Sequence, residues 1–281
     1  FVVALENPTA YFLEVVAFYT ALPTPRHVIE RLGSNWESAH NLVGNGPFRI
    51  AEWKQKDRFV FVPSDRYWDR ANVRLTKIVA LPIEELSTST NLYKAGVIDW
   101  NPSGYIPAPF LPYMRGYADF RTGDYQGTYF YSINVTRPPL DNVWVRRALN
   151  YAVDREAIAK YVLKGTVPAW GNATPNGYPG YHAPAPIVFD PVKARECLAK
   201  AGYPGGKGFP RIEILFNTSE DHRRIAEAVQ AMWKRELNIP VSLSNQEWAS
   251  YLAATTAKEY DVARRSWIGD YMDPNTFLDM W

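Results

Sequence analysis

Two rhythms of apolar residues run through this chain, and both are clearest from residue 212 onward. Ile212, Ile214 and Phe216 recur at a spacing of two, the period of a strand. Ile225, Ala228, Val229, Met232 and Trp233 fall at i, i+3, i+4, i+7 and i+8, which is one face of a helix. Val241 and Leu243 mark a second strand, residues 248–260 contain a short helix, and the residues around Val262 form a third strand. Strand, helix, strand, helix, strand predicts an α/β fold with a βαβαβ parallel sheet and right-handed crossovers.

Upstream the pattern is more broken. Phe1 to Leu5 reads as part of a strand, and Tyr11 to Tyr19 as an apolar stretch without an assignable face. Residues 25–33 read as a short helix stopped by Gly33. Phe48 and Ile50, then Phe59 and Phe61, flank a turn at 54–57 and predict an antiparallel hairpin. Leu75, Ile78, Val79 and Leu81 predict another strand, and residues 87–95 a helix with Gly96 just past its end. Periodicity fades over residues 101–126, which are rich in Pro, Gly and Tyr. A domain boundary is therefore expected near 126, with 1–126 in one part and 127–281 in the other. Beyond it, residues 129–134 predict a strand. Asp141 and Asp154 are placed as helix N-caps, and Asp190-Pro191 opens a helix that Gly202 ends. Residues 166–188 predict a long surface loop, a class of segment that tends to be functional.

Composition narrows the function. The chain has 281 residues, 47% of them apolar, with 31 basic and 29 acidic side chains and a net charge of +2. That near balance, with no Lys/Arg block, argues against a nucleic-acid partner. The single cysteine, Cys197, excludes an intrachain disulfide framework and reads as a small buried residue in a helix. No apolar run reaches the roughly 18–20 residues of a membrane-spanning helix. Both ends fall inside structural patterns, so the sequence reads as a piece of a longer protein without its targeting segment. Ten Trp, 18 Tyr and 13 Phe exceed what a core of this size needs and suit a large aromatic-lined cleft.

Ligands of open parallel sheets bind outside the carboxyl ends of the strands. The three strand exits are Asn217-Thr-Ser219, Asn245-Gln-Glu-Trp248 and Arg264-Arg-Ser-Trp-Ile-Gly-Asp270. Topology therefore makes neighbours of His222, Trp248, Trp267 and Asp270. An aromatic wall beside a carboxylate suits an ammonium group or another polar ligand. Each residue also has a plainer role: Trp as packing, His222 and Glu247 as solvated or capping groups at helix starts, Asp273 before Pro274 as a turn residue. Catalysis has little support. Asp270 with Asp273 or Glu247 is a formal glycosidase pair, but Asp270 and Asp273 share one loop. No G-x-S-x-G or H-E-x-x-H motif occurs, and the four histidines lack metal-ligand spacing. The chain reads as a binder and not an enzyme, with no cofactor and no metal.

One set of motifs is specific when taken together. It comprises Asn45-Gly-Pro-Phe-Arg-Ile-Ala-Glu-Trp53, Arg66-Tyr-Trp-Asp69, Leu92-Tyr-Lys-Ala-Gly-Val-Ile-Asp99, Val145-Arg-Arg-Ala-Leu-Asn-Tyr-Ala-Val-Asp-Arg155, Asn217-Thr-Ser219, Asn245-Gln-Glu-Trp248 and Trp267-Ile-Gly-Asp-Tyr271. In this set and order the chain resembles the extracytoplasmic solute-binding proteins of peptide ABC transporters, the oligopeptide-binding family 5. The resemblance implies an incomplete periplasmic-binding-protein-like fold whose two lobes close on an extended peptide. It implies that peptide main chain adds to protein strands. It implies that Asp270 pairs with the peptide α-ammonium, that Trp248 and Trp267 wall pockets, and that His222 lies toward the peptide's C-terminal side. Arg264 and Ser266 lie on the strand lining that site. The implied partners are a peptide ligand and the membrane permease of an ABC importer, with the protein itself monomeric and periplasmic or cell-surface. Binding of another solute on the same scaffold, such as an oligosaccharide, haem or a nickel chelate, is the alternative. The sequence departs from the family where some members carry an Arg after the Trp248 position; here it reads Ala253-Ala-Thr-Thr-Ala-Lys258.

Overall fold

The computed structural model describes residues 2–102, 106–123 and 125–280. Phe1 and Trp281, which the sequence places in apolar patterns, lie outside the described residues, as do 103–105 and 124 of the Pro/Gly/Tyr-rich stretch. The chain divides into two compact units, 1–84 and 85–281.

The first unit begins with α1 (Phe12–Ala17) and α2 (Arg26–Leu32), the latter stopped by Gly33 at φ 53°. Residues 2–5 form no strand, contrary to the sequence pattern. Val2, Val3 and Leu5 are exposed, and apolar alternation without a paired neighbour does not make a ladder. The hairpin is present: β1 (Phe48–Lys54) pairs antiparallel with β2 (Arg58–Pro63), with Phe48 opposite Pro63 and a bulge between Ile50 and Glu52. Lys56 takes φ 61° in the turn. β3 (Ile78–Ala80) joins β2 antiparallel and is shorter than the apolar run 75–81 suggests.

In the second unit, α3 (Leu86–Lys94) and α4 (Leu111–Met114) precede the sheet. Residues from 85 to 126 are tied to later ones, as where Ser87 Oγ donates to Glu220 Oε1 at 2.8 Å. Compactness thus divides the chain after Glu84, whereas the sequence pattern changes near 126. β4 (Gly127–Ile133) is followed by α5 (Val143–Tyr151), whose N-cap is Asn142 and not Asp141: Asn142 Oδ1 accepts from Trp144 N at 2.8 Å. Asp154 caps α6 (Arg155–Ala157), which runs on as a wider π turn, and Asp190 caps α7 (Pro191–Lys200). Then come β5 (Ile212–Asn217), α8 (Glu220–Leu237), β6 (Val241–Gln246), α9 (Trp248–Thr256), β7 (Val262–Ile268) and α10 (Asn275–Leu278).

The sheet order is β4-β7-β5-β6. β5 runs parallel to both β6 and β7, which is the expected βαβαβ unit with its first strand in the middle. β4 adds antiparallel to the outer side of β7. Ile212, Ile214, Phe216 and Val262 join a core with Val145, Leu149, Leu198, Val229 and Trp233 of α5, α7 and α8. Leu215 and Ala263 point the other way, toward Tyr251 and Ala254 of α9. Within α8 the buried face includes Ile225, Ala226, Val229, Met232 and Trp233, while Ala228 is half-buried. Trp233 Nε1 donates to Leu149 O at 2.9 Å, which satisfies the one polar atom that indole burial brings inside. Cys197 is buried in the same core and unbonded.

The segment 166–188 lacks regular structure, as expected, but it is not wholly on the surface: Thr174 and Tyr178 are 2% and 3% exposed. It is tied across itself by Trp170 Nε1 to Thr174 O, Asn172 Nδ2 to Pro184 O and Ala183 N to Asn176 Oδ1.

Asn134 joins β4 to the turn before β7. Its Nδ2 donates to Lys258 O and Tyr260 O, each at 3.0 Å, and its Oδ1 accepts from Thr136 N and Oγ1. Asn134→Ala removes the side chain of a buried residue together with these bonds to half-exposed and exposed partners, and is expected to cost about 1–3 kcal/mol. Urea unfolding checks this, and a loss below about 0.5 kcal/mol would show that the bonds carry no net stability.

Candidate ligand-binding site

Parallel direction brings the last residues of β5, β6 and β7, which are Asn217, Gln246 and Ile268, to one rim of the sheet. β4 runs the opposite way and enters at that rim, with Gly127 opposite Ile268. The β4–β7 ladder is complete from Val262 to Ile268. The β5–β7 ladder holds only at Ile214 with Val262 and Leu215 with Ala263. Past Ala263, β7 is therefore laddered on its β4 side alone.

Residues opposite one another in a ladder share a face. Tyr129 faces Ser266 and Tyr131 faces Arg264, so these four side chains lie on one side of the sheet. The Arg264 guanidinium sits 5.0 Å from the Tyr129 ring centre, donates through Nη2 to Ser266 Oγ at 3.1 Å, and reaches Asn217 Oδ1 through Nη1 at 3.4 Å. All of these partners are neutral. His222, in the first turn of α8, approaches the Tyr129 hydroxyl with Nδ1 at 3.5 Å, and the two rings are 5.6 Å apart. Burial first, and then the Arg264 cation, push the His222 pKa down to about 3, so the imidazole is neutral at neutral pH. Burial pushes the Tyr129 hydroxyl up to about 12 against the pull of Arg264, and burial followed by the Tyr129 hydroxyl pushes Tyr131 up.

Trp267 alternates onto the opposite face, beside Ala263 in the pleat. Thr276 Oγ1 ties it to the following turn, accepting from Trp267 Nε1 at 3.4 Å and from Asp270 N at 3.0 Å. Gly269 N donates to Gln126 O at 2.8 Å. Asp273 caps the short turn into α10 through Oδ1 to Asn275 N, which is the plain role its sequence position suggested. The half-buried Asp270 carboxylate takes no hydrogen bond or ion pair among the described residues. Trp248 opens α9 and is half exposed. Its ring stacks on Tyr251 at 5.7 Å, while Glu247 Oε2 caps the helix by accepting from Ala249 N. Tyr251 in turn donates its hydroxyl to Arg264 O.

Of the six residues singled out in the sequence, the structure joins His222, Arg264 and Ser266 around Tyr129. It joins Trp267 and Asp270 through Thr276, and it leaves Trp248 paired with Tyr251 on the α9 side. Tyr129, Tyr131, Tyr178 and Thr276 were not anticipated. The two tyrosines of β4 carried a signal in their spacing of two, but only the ladder to β7 shows which face they share. Thr276 carried none.

Buried polar atoms normally find partners. Among the described residues, those without a hydrogen-bond partner are Gln126 Oε1, Thr128 Oγ1, Tyr131 OH, Tyr178 OH, Gln246 Oε1 and Arg264 Nε. They belong to β4 and its entry, to β7, to the end of β6, and to the loop 166–188. No group of three or more His, Cys, Asp or Glu among the described residues could hold a metal ion.

Such an arrangement is an α/β module with a polar rim at the carboxyl ends of its strands. The sequence profile described as "Bacterial extracellular solute-binding proteins, family 5 Middle" matches residues 1–281. The chain is 35% identical to the oligopeptide-binding protein OppA of Bacillus subtilis strain 168, over 99% of this chain and 53% of that protein. It is also 35% identical to the periplasmic murein peptide-binding protein MppA of Escherichia coli K12, over 99% of this chain and 52% of that one. Among solved structures, it matches the oligopeptide-binding protein OppAIV of Borrelia burgdorferi with a TM-score of 0.92 and 35% identity, covering 98% of this chain and 55% of that one. Haemophilus influenzae OppA in complex with RPPGFSPFR matches with a TM-score of 0.88 and 31% identity, covering 98% and 55%. The chain belongs to family 5 of the bacterial extracellular solute-binding proteins and has their periplasmic-binding-protein-like α/β fold. It spans about half the length of the relatives it matches.

Because the folded His222 pKa lies below its unfolded value of about 6.5, the unfolded state binds the extra proton first as pH falls. The His222 contribution to stability is therefore present above about pH 6.5 and is lost progressively on acidification toward about 3. Urea unfolding at pH 7 and pH 5 is expected to show a smaller acid-induced loss in His222→Asn than in the parent. Equal losses in the two proteins would mean that His222 is protonated in the folded state.

Proposed function

We propose that this chain carries the peptide-recognising region of a solute-binding protein that captures extended oligopeptides and delivers them to the permease of an ABC importer. The observation that carries this reading is the one-sided ladder of β7. Between Arg264 and Ile268 the strand is laddered to β4 alone, with a cation among neutral partners at one end and, just past the other, the Asp270 carboxylate, unpartnered among the described residues. A peptide in solution has the matching set of features: an extended backbone of N–H and C=O groups, a terminal ammonium and a terminal carboxylate. Main-chain pairing to β7 supplies affinity that is indifferent to side chains. Asp270 pairs with the ammonium, and Arg264 supplies positive charge toward the carboxylate, with His222 and Ser266 beside it. From Arg264 to Ile268 the strand rises about 13 Å, a span that an extended peptide of about four residues covers. Trp267 and Trp248 offer aromatic surface on the α9 side of the sheet.

The same reading takes the chain as a binder without catalysis and as extracytoplasmic, in keeping with relatives named oligopeptide-binding and periplasmic. It assigns residues 1–126 to a first lobe and 127–281 to a second in the whole, monomeric protein.

The test is titration calorimetry of the complete protein with a free tetrapeptide and its N-acetylated form. Removing one partner of a desolvated charge pair costs about 2–5 kcal/mol, or roughly 30-fold and upward in affinity. Asp270→Asn is expected to weaken the free peptide by that factor, and acetylation to weaken binding to the parent similarly. Equal affinity of the parent for both peptides would reject Asp270 as the amine anchor.

A further inference from the structure

Gly269, the residue between β7 and Asp270, does not need to be glycine for its backbone angle: it is absent from the residues with positive φ. A single atom excludes a side chain there. A Cβ added to Gly269 would lie 2.3 Å from the Tyr178 hydroxyl oxygen, whereas the next atoms, Thr276 Cγ2 and Phe277 Cε2, would lie at 3.3 and 3.4 Å. Tyr178 reaches this place from the loop 166–188, with its ring edge-on to Phe277 at 5.9 Å. Its hydroxyl is buried and has no hydrogen-bond partner. A buried unsatisfied hydroxyl destabilises a fold, and Phe would fill the same space without that cost. Residues that break a local rule in this way tend to sit at functional sites. Burial, and then the charge of Asp270, hold the Tyr178 pKa above its ordinary value, so the hydroxyl keeps its proton.

We propose that Tyr178 is a positioning residue for Asp270: its hydroxyl presses on Gly269 and fixes the turn from which the Asp270 carboxylate meets an ammonium group. Thr276 holds the same turn through its Oγ1, which accepts from Asp270 N, and Gln126 through its backbone O, which accepts from Gly269 N. Tyr178 is a third support, contributed by the loop. The inference rests on the peptide-amine reading of Asp270.

The experiment compares the affinities of tetra-alanine and N-acetyl-tetra-alanine by calorimetry, in the complete protein and four variants, together with each variant's thermal midpoint. Tyr178→Phe is expected to raise the midpoint and to lower the free-to-acetylated affinity ratio about fivefold or more. Gly269→Ala is expected to lower the ratio further, because the new methyl meets the hydroxyl. The double variant is expected to return to the Tyr178→Phe ratio, since without the hydroxyl the nearest atoms stand at 3.3 Å or more. An unchanged ratio in Tyr178→Phe, or a double variant no better than Gly269→Ala, overturns the positioning role. Asp270→Asn separates the two ideas. If it preserves the ratio, the amine reading fails and the inference fails with it. If it abolishes the ratio while Tyr178→Phe leaves it intact, the inference alone fails.

Discussion

Backbone N–H and C=O groups seek partners, and the divergence of β5 from β7 leaves one side of β7 without a strand ladder past Ala263. The rest of the candidate site depends on this parting of two strands. Had the ladder continued past Ala263, Arg264 would stand inside a closed sheet with no edge to offer. A side chain bridges the parting: Arg264 Nη1 reaches back to Asn217 Oδ1, at the last residue of β5. β4 makes the divergence tolerable, because its full ladder keeps the far side of β7 paired.

Charge follows from the same geometry. Arg264 is placed among a tyrosine face, a serine and an asparagine, none of which neutralises it. His222 beside it stays neutral because a second cation in a half-buried place would add repulsion to desolvation. Past the end of β7, the Asp270 backbone N–H donates to Thr276 Oγ1, while its carboxylate takes no hydrogen bond or ion pair among the described residues. The turn is thereby fixed without consuming the charge. Two charges that take no ion pair among the described residues are thus separated by a stretch of strand laddered on one side only.

Much of this was legible in the sequence, for identifiable reasons. Parallel topology follows from alternating strand and helix periods, so the common rim of Asn217, Gln246 and Ile268 could be read without coordinates. Caps with a fixed chemistry, Asp154 and Asp190, were also readable. Asn142 was not distinguished from Asp141, since either carbonyl-bearing side chain can cap and only the backbone phase of α5 decides. The pairing of β4 to β7 lay beyond local pattern, because the two strands are joined across more than a hundred residues and register is a tertiary choice. That one unknown hid Tyr129 and Tyr131. Residues 2–5 show the reverse failure: alternation suits a strand, but without a ladder it remains extended, exposed chain.

The loop that supplies Tyr178 crosses its own path at Gly171, where a Cβ would come within 2.4 Å of Ile187 O and 2.8 Å of its N. With the three cross-ties described above, this crossing removes most of the freedom that a connection of its length would otherwise keep. That conformational entropy is surrendered when the chain folds, not when a ligand arrives. Tyr178 is therefore positioned by the fold itself.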